Sequence, residues 1–291
     1  MRISVCIFAR NEERLLPVCV NALPAAGLGA KDRIHILVNG CSDNTAEVAN
    51  ALASAKAEIL VHELPVGDKA NAWNEYVHRI ADTDADAHIF LDGDIKPSIG
   101  AISALAKALA DNPEHYAAGA LPVTGRSRRK WAKTLLVHNY ISGNLYAMSK
   151  GAVRRFRELQ LHLPFGAKGE DGLISYLLLT DLKGGEDDSY TGRIVATANA
   201  TFEFESLGLN LRDLALYRRR LRRYSERHFQ KQILYRLLKK GGIATMPENI
   251  KDIYTPNAIA ALKPRWDPVN LWFDLATLGR LRNGSQEKVE T

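Results

Sequence analysis

Apolar and polar positions alternate in blocks along the first half of the chain. Short apolar runs at 2–8, 33–38, 59–62 and 87–91 are separated by longer stretches with helical spacing. Runs of this length, rich in Ile, Leu and Val, read as strands buried on both faces. The segments between them predict helices over 11–21, 45–57 and 69–80. Asp43 and Asn44 stand as N-cap candidates for the second, and Asn44-x-x-Glu47 resembles a capping box. Strands alternating with helices predict a doubly wound α/β fold with a mostly parallel sheet.

The pattern continues with a helix over 99–109, a strand over 116–123 and a basic, turn-rich loop over 124–130. A strand over 144–149 leads into a helix over 150–157. A loop over 161–169 precedes an apolar helix over 171–180 that opens with acids. Two alternating stretches, 194–200 and 201–205, predict strands. Residues 209–238 are helical and basic, and a proline-punctuated tail ends in an amphipathic stretch at 270–281. The pattern predicts one domain over 1–205 and a helical, basic extension over 206–291 packed on it.

Composition adds bounds. With 46% hydrophobic and 25% charged residues, the 291-residue chain is that of a globular protein. No run approaches the ~18 consecutive apolar residues that span a bilayer. The N-terminus enters a strand with no signal-peptide pattern, so a cytoplasmic location is expected. Cys6, Cys19 and Cys41 form no CxxC pair, which argues against a disulfide framework and a zinc site. The net charge of +6 is uneven: Arg212 to Lys240 holds eleven Lys/Arg and two acids, leaving −3 for the rest of the chain.

The candidate chemistry sits where the apolar runs end. His88-Ile89-Phe90-Leu91-Asp92-Gly93-Asp94 delivers two carboxylates, one residue apart, to a sheet edge. Side chains two apart on a strand share a face, so Asp92 and Asp94 can converge on one hard cation, Mg²⁺ or Mn²⁺. In open parallel sheets, ligands bind beyond the carboxyl ends of the strands. Arg10-Asn11-Glu12-Glu13, Asn39 to Thr45 and Lys69 to Asn74 follow the first three strands. Four polar turns on one rim suit a nucleoside diphosphate.

The order and spacing of these segments resemble the inverting family 2 glycosyltransferases, which have the GT-A fold. SVCIFARNEE (4–13) is similar to the family's opening motif, VNGCSDNT (38–45) to its VDDGSxDxT, KANAWN (69–74) to its KxxAxN, and Asp92-Gly93-Asp94 to its DxD. GNLYAMSKGAVRRF (143–156) resembles an acceptor-side region, and Gly169-Glu170-Asp171-Gly172-Leu173 its EDxxL. The resemblance implies nucleotide-sugar contacts from Phe8, Ala9, Arg10, Glu12, Asn39, Lys69, Asp92 and Gly93. It implies metal contact from Asp94, with Asp92 on the metal or the ribose. Asp171, with Glu170 beside it, would be the general base that inversion requires. Phe8 and Arg10 depart from the usual proline and tyrosine, and Asn39 replaces an aspartate that contacts the base. The arginine–tryptophan motif of processive synthases is missing, since Arg222 to His228 (RRYSERH) has no tryptophan.

Three functions compete. The first is a metal-dependent, non-processive glycosyltransferase using a nucleotide-sugar donor, a UDP-sugar by preference, and a glycan or lipid-linked acceptor. The second is a sugar nucleotidyltransferase, which would carry a glycine-rich turn after the first strand where this chain has Ala9-Arg10-Asn11-Glu12. The third, a nucleic-acid binder, is disfavoured by the acidic rim. The Arg218-Arg219-Arg220 and Arg222-Arg223 cluster reads as a solvated face, a diphosphate grip, or an anionic membrane surface contact that would make the enzyme peripheral.

Overall fold

The computed structural model describes residues 1–185, 191–205 and 211–286. Among the described residues, 1–162, 170–182 and 191–205 form one compact unit by packing, and 163–169, 183–185 and 211–286 a second.

The first unit is built on eight strands: β1 (Ile3–Ala9), β2 (Arg33–Asn39), β3 (Ile59–Leu64), β4 (Ala87–Asp92), β5 (Ile95–Pro97), β6 (Ala117–Pro122), β7 (Leu145–Ser149) and β8 (Ile194–Phe204). They form one sheet in the order β3-β2-β1-β4-β7-β6-β8-β5. The pairs β3–β2, β2–β1, β1–β4 and β6–β8 are parallel; those of β7 with β4 and β6, and of β5 with β8, are antiparallel. This is the GT-A arrangement, a doubly wound half completed by a mixed half. β4 and β6 run in the same direction, each antiparallel to β7 between them, so both end on the same rim.

The helices of this unit are α1 (Leu16–Ala26), α2 (Thr45–Ala55), α3 (Lys69–Glu75), α4 (Ala101–Ala110), α5 (Arg128–His138), α6 (Lys150–Glu158) and α7 (Glu170–Leu179). Strand alternation divides the core between the two faces. Val5, Ile7 and Ala9 of β1 join Ile34, Ile36 and Val38 of β2 against Leu16, Val20 and Leu23 of α1 and Ile102 and Leu105 of α4. Phe90 belongs to a separate aromatic stack in which its ring packs on Phe8, Trp73, Tyr76 and Tyr146.

Several elements differ from expectation for local reasons. The first helix starts at Leu16 rather than at residue 11, because Asn11 is left-handed at φ 59° and Pro17 suits a first turn. Asn44 makes no side-chain cap; Asp43 accepts from the Thr45 backbone N–H at 3.1 Å instead, and no capping box forms. The helix over 69–80 is α for its first part and closes as a π-turn over Tyr76–Ile80. The two strands expected over 194–205 are one, β8, with an irregularity opposite Gly119–Leu121.

The second unit is helical: α8 (Leu211–Gly241), α9 (Pro256–Ala260) and α10 (Pro268–Gln286). Ser225 of α8 donates to the Phe273 carbonyl of α10 at 3.2 Å, and Arg265 pairs with the buried Asp274 at 2.7 Å. His228 and Gln232 meet the Lys263 carbonyl at 3.0 and 2.8 Å. Among the described residues no helix is long and apolar enough to cross a membrane.

Candidate active site

The carboxyl ends of β1, β2 and β4 and the turn after β3 bring the polar motifs onto one rim. Asn11 accepts from the Ser42 N–H at 2.8 Å, and Cys41 donates to the Ala9 carbonyl at 3.4 Å. The Glu12 N–H donates to Thr45 Oγ1 at 2.8 Å. These bonds tie the turn after β1 to the turn after β2. Asn39 is buried, and its amide oxygen accepts from the Asp68 N–H at 3.1 Å, which ties β2 to the start of α3. Arg10 donates to the Gly67 carbonyl at 2.6 Å. Gly40 has φ 58°, and a Cβ there would lie 2.2 Å from the Gly67 nitrogen, so the two turns touch backbone to backbone.

The centre of the site is Lys69, the first residue of α3, which Asp68 caps by accepting from the Asn71 N–H at 2.7 Å. The Lys69 ammonium lies 2.5 Å from Asp92 Oδ1, 3.0 Å from Glu170 Oε1 and 3.0 Å from the Gly143 carbonyl. It also stands 5.3 Å from the centroid of the Phe8 ring, which is buried beneath it. Lys69 is therefore a half-buried, acid-paired lysine and not a freely solvated surface one. Asp92 is held from its other side by Asn144, whose amide donates to Asp92 Oδ2 at 3.3 Å.

β4 ends at Asp92, so Gly93 and Asp94 form the turn into β5. The Gly93 N–H donates to the Phe8 carbonyl at 2.9 Å, which seats the turn against the end of β1. Glu170 and Asp171 open α7. Asp171 Oδ2 accepts from the Gly143 N–H at 3.4 Å. A Cβ at Gly143 would lie 3.2 Å from the Asp171 Cβ and 3.3 Å from Glu170 Oε1, so glycine there lets both acids approach.

Acids crowd this rim. Burial, then Asp94, Asp92 and Asp43, push the Glu12 carboxyl up to about 8. Burial likewise raises Asp92 to about 7, Asp94 adding to it while Lys69 opposes it. Burial works against the Lys69 charge, but Asp92 and Glu170 outweigh it and hold the ammonium above its ordinary range. Among the described residues no three His, Cys, Asp or Glu side chains encage a metal by themselves. A pair of carboxylates with neighbouring excess negative charge fits Mg²⁺ or Mn²⁺, which take one or two protein carboxylates and complete their shell with water and phosphate oxygens.

Glu12, Lys69, Asp92, Gly93, Glu170 and Asp171, all expected from sequence, thus share one rim. Phe8 and Ala9 underlie it, buried, while Arg10 and Asn39 bind neighbouring turns. Asn144 was not among the expected site residues. Its role depends on the antiparallel register of β7 with β4, which places it beside Asp92.

A mixed α/β sheet with polar turns gathered along its carboxyl rim is the architecture of the GT-A class. The profile of Glycosyl transferase family 2 matches residues 4–169, and the chain belongs to that family as a glycosyltransferase. No curated protein matches the chain. Among solved structures, it resembles a mannosyltransferase from Pyrobaculum calidifontis in complex with GDP-Man and Mn²⁺, at 15% identity and TM-score 0.60, over 98% of this chain and 86% of that one. It resembles S. aureus TarS at 13% identity and TM-score 0.54, over 98% of this chain and 55% of that one. Glucosyl-3-phosphoglycerate synthase from Mycobacterium tuberculosis aligns at 21% identity and TM-score 0.51, over 77% and 79% of the two chains. These likenesses confirm the GT-A fold.

Proposed function

We propose that this protein is an inverting, metal-dependent, non-processive glycosyltransferase. It would move a sugar from a nucleoside-diphosphate donor, a UDP-sugar by preference, to a hydroxyl of a glycan or lipid-linked acceptor. Residues 1–205 would do the chemistry and 206–291 form an accessory extension. The enzyme would work in the cytoplasm, peripheral to an anionic membrane surface. The observation that carries the reading is the convergence of Asp92, Lys69, Glu170 and Asp171 around Gly143.

Asp94 and Asp92 would hold Mg²⁺ or Mn²⁺, which when bound supplies positive charge to the departing diphosphate. Two of the similar solved structures hold Mn²⁺ together with a sugar nucleotide, GDP-Man in one and UDP-Glc in the other. Glu12 accepts from ribose hydroxyls. Phe8, Ala9, Arg10, Asn39 and Gly93 shape the nucleotide wall, while Lys69 holds Asp92 and Glu170 in place. Asp171 takes the proton of the acceptor hydroxyl as its oxygen attacks the anomeric carbon, opposite the diphosphate. The new C–O bond forms as the bond to the diphosphate breaks, and the anomeric configuration inverts. A sugar nucleotidyltransferase is the weaker reading, since family membership and the glycine-free turn after β1 both oppose it.

Asp171→Asn tests the assignment. Transfer should fall by about 10³-fold, within the range for losing a general base. Donor binding measured by calorimetry should stay within about twofold, because Asp171 meets the acceptor. Transfer at the wild-type rate, or retained anomeric configuration in the product by NMR, refutes the mechanism.

A further inference from the structure

The connection from β6 to β7, residues 123–144, has both ends on the catalytic rim. It leaves the sheet after Pro122, on the rim where β4 delivers Asp92, and re-enters through Gly143 and Asn144. It carries five Lys/Arg (Arg126, Arg128, Arg129, Lys130 and Lys133) and no acid. α5, in its middle, is seated on the body by Leu135, its one buried side chain, with Trp131 and Ala132 packed beside it. At 100° per residue, Arg129, Lys133, Leu136 and Val137 occupy the face turned away from Leu135. Leu136 and Val137 are 41% and 64% exposed, and Val123 and Tyr140 at the ends of the connection are 41% and 37% exposed.

Cations and outward apolar side chains on one helix face suit the boundary between lipid headgroups and acyl chains. A soluble phosphorylated glycan would match the cations but leave Leu136 and Val137 in water. We propose that α5 is a membrane-docking helix: its Arg129–Lys133–Leu136–Val137 face seats on an anionic phospholipid surface and turns the catalytic rim toward a lipid-linked acceptor. This rests on the lipid-linked form of the acceptor in the proposed function. It places membrane contact on a helix that borders the site, rather than on the basic α8, for which the sequence left a lipid contact as one of three readings.

Flotation with phosphatidylcholine vesicles containing about one-third phosphatidylglycerol tests it, with binding expected to weaken as salt rises. Arg129→Gln with Lys133→Gln should weaken partitioning about 30-fold, at roughly fivefold per basic residue near an anionic surface. Val137→Glu should weaken it independently, and Arg218→Gln with Arg222→Gln on α8 should leave it within about threefold of wild type. Mn²⁺-dependent nucleotide-sugar binding, measured by calorimetry on the same proteins, reports folding and the proposed function separately. Wild-type protein that binds donor but no vesicles overturns the docking proposal alone. Vesicle binding that survives the α5 substitutions, or is lost only with the α8 pair, also overturns it.

Discussion

Replacing Lys69 with methionine removes the ammonium that lies 2.5 Å from Asp92 and 3.0 Å from Glu170 while keeping the aliphatic stem. Two carboxylates then face each other across an apolar side chain. Breaking a fully buried ion pair costs about 3–5 kcal/mol. The side chains here are 27% exposed for Lys69, 25% for Asp92 and 14% for Glu170. Solvent therefore screens part of the loss, and the expected cost is about 2 kcal/mol. For a protein of 291 residues, at about 2.1 cal/mol/K of unfolding entropy per residue, that corresponds to a Tm lowered by roughly 3 °C. The assay is differential scanning fluorimetry at neutral pH, with and without Mn²⁺. The ammonium competes with a divalent ion for Asp92, so Mn²⁺ should raise the Tm of the variant more than that of the wild type. A variant that melts within about 1 °C of wild type and responds equally to Mn²⁺ refutes the argument, because Lys69 would then behave as a solvated surface residue.

The pH dependence of stability combines Glu12 of this rim with two histidines outside it, His88 near the start of β4 and His78 bonded to the Leu161 carbonyl at 3.1 Å. Glu12 is raised to about 8 when folded, so its stabilising contribution is complete below its unfolded value and is lost as pH rises through about 8. Burial lowers His78 and His88 to about 4, so their contribution is present above the unfolded value and lost on acidification toward about 4. Metal-free Tm should therefore peak near pH 6–6.5 and fall toward pH 8.5; a metal-free Tm that rises over that alkaline span contradicts the assignment. Glu12→Gln should flatten the alkaline limb, as monitored by fluorimetry across pH. Gly143→Ala should lower kcat at least tenfold with little change in donor affinity, because the added Cβ crowds Asp171 and Glu170; steady-state kinetics that show unchanged kcat would rule out the close approach as functional.

The strands β1, β2 and β4 were legible because each is a continuous apolar run ending in a polar turn, the pattern of a strand buried on both faces, while β3, at the sheet edge with only Ile59 buried, was legible from a shorter run alone. β5 was not, since three residues including Pro97 on a sheet edge leave no periodicity. α5 read as a loop at its start because a helix with one buried side chain and a basic first turn lacks an apolar stripe. In the site, the carboxylates were visible as a motif. Their link to Lys69 was not, because residues 69, 92, 143 and 170 come from four elements and meet only through the sheet register. Asn39 shows the converse: the sequence left its amide open to a base, and the fold engages its oxygen with the Asp68 N–H.

If Asp92 and Asp94 hold a divalent ion against the diphosphate of the donor, donor binding requires that ion. Calorimetric titration of UDP-, GDP- and dTDP-sugars into the protein, with Mn²⁺ and after chelation, tests it most directly. One nucleotide-sugar should bind with Mn²⁺, and Asp94→Ala or removal of the metal should weaken binding at least tenfold. Equal binding with and without Mn²⁺, unchanged in Asp94→Ala, would contradict it.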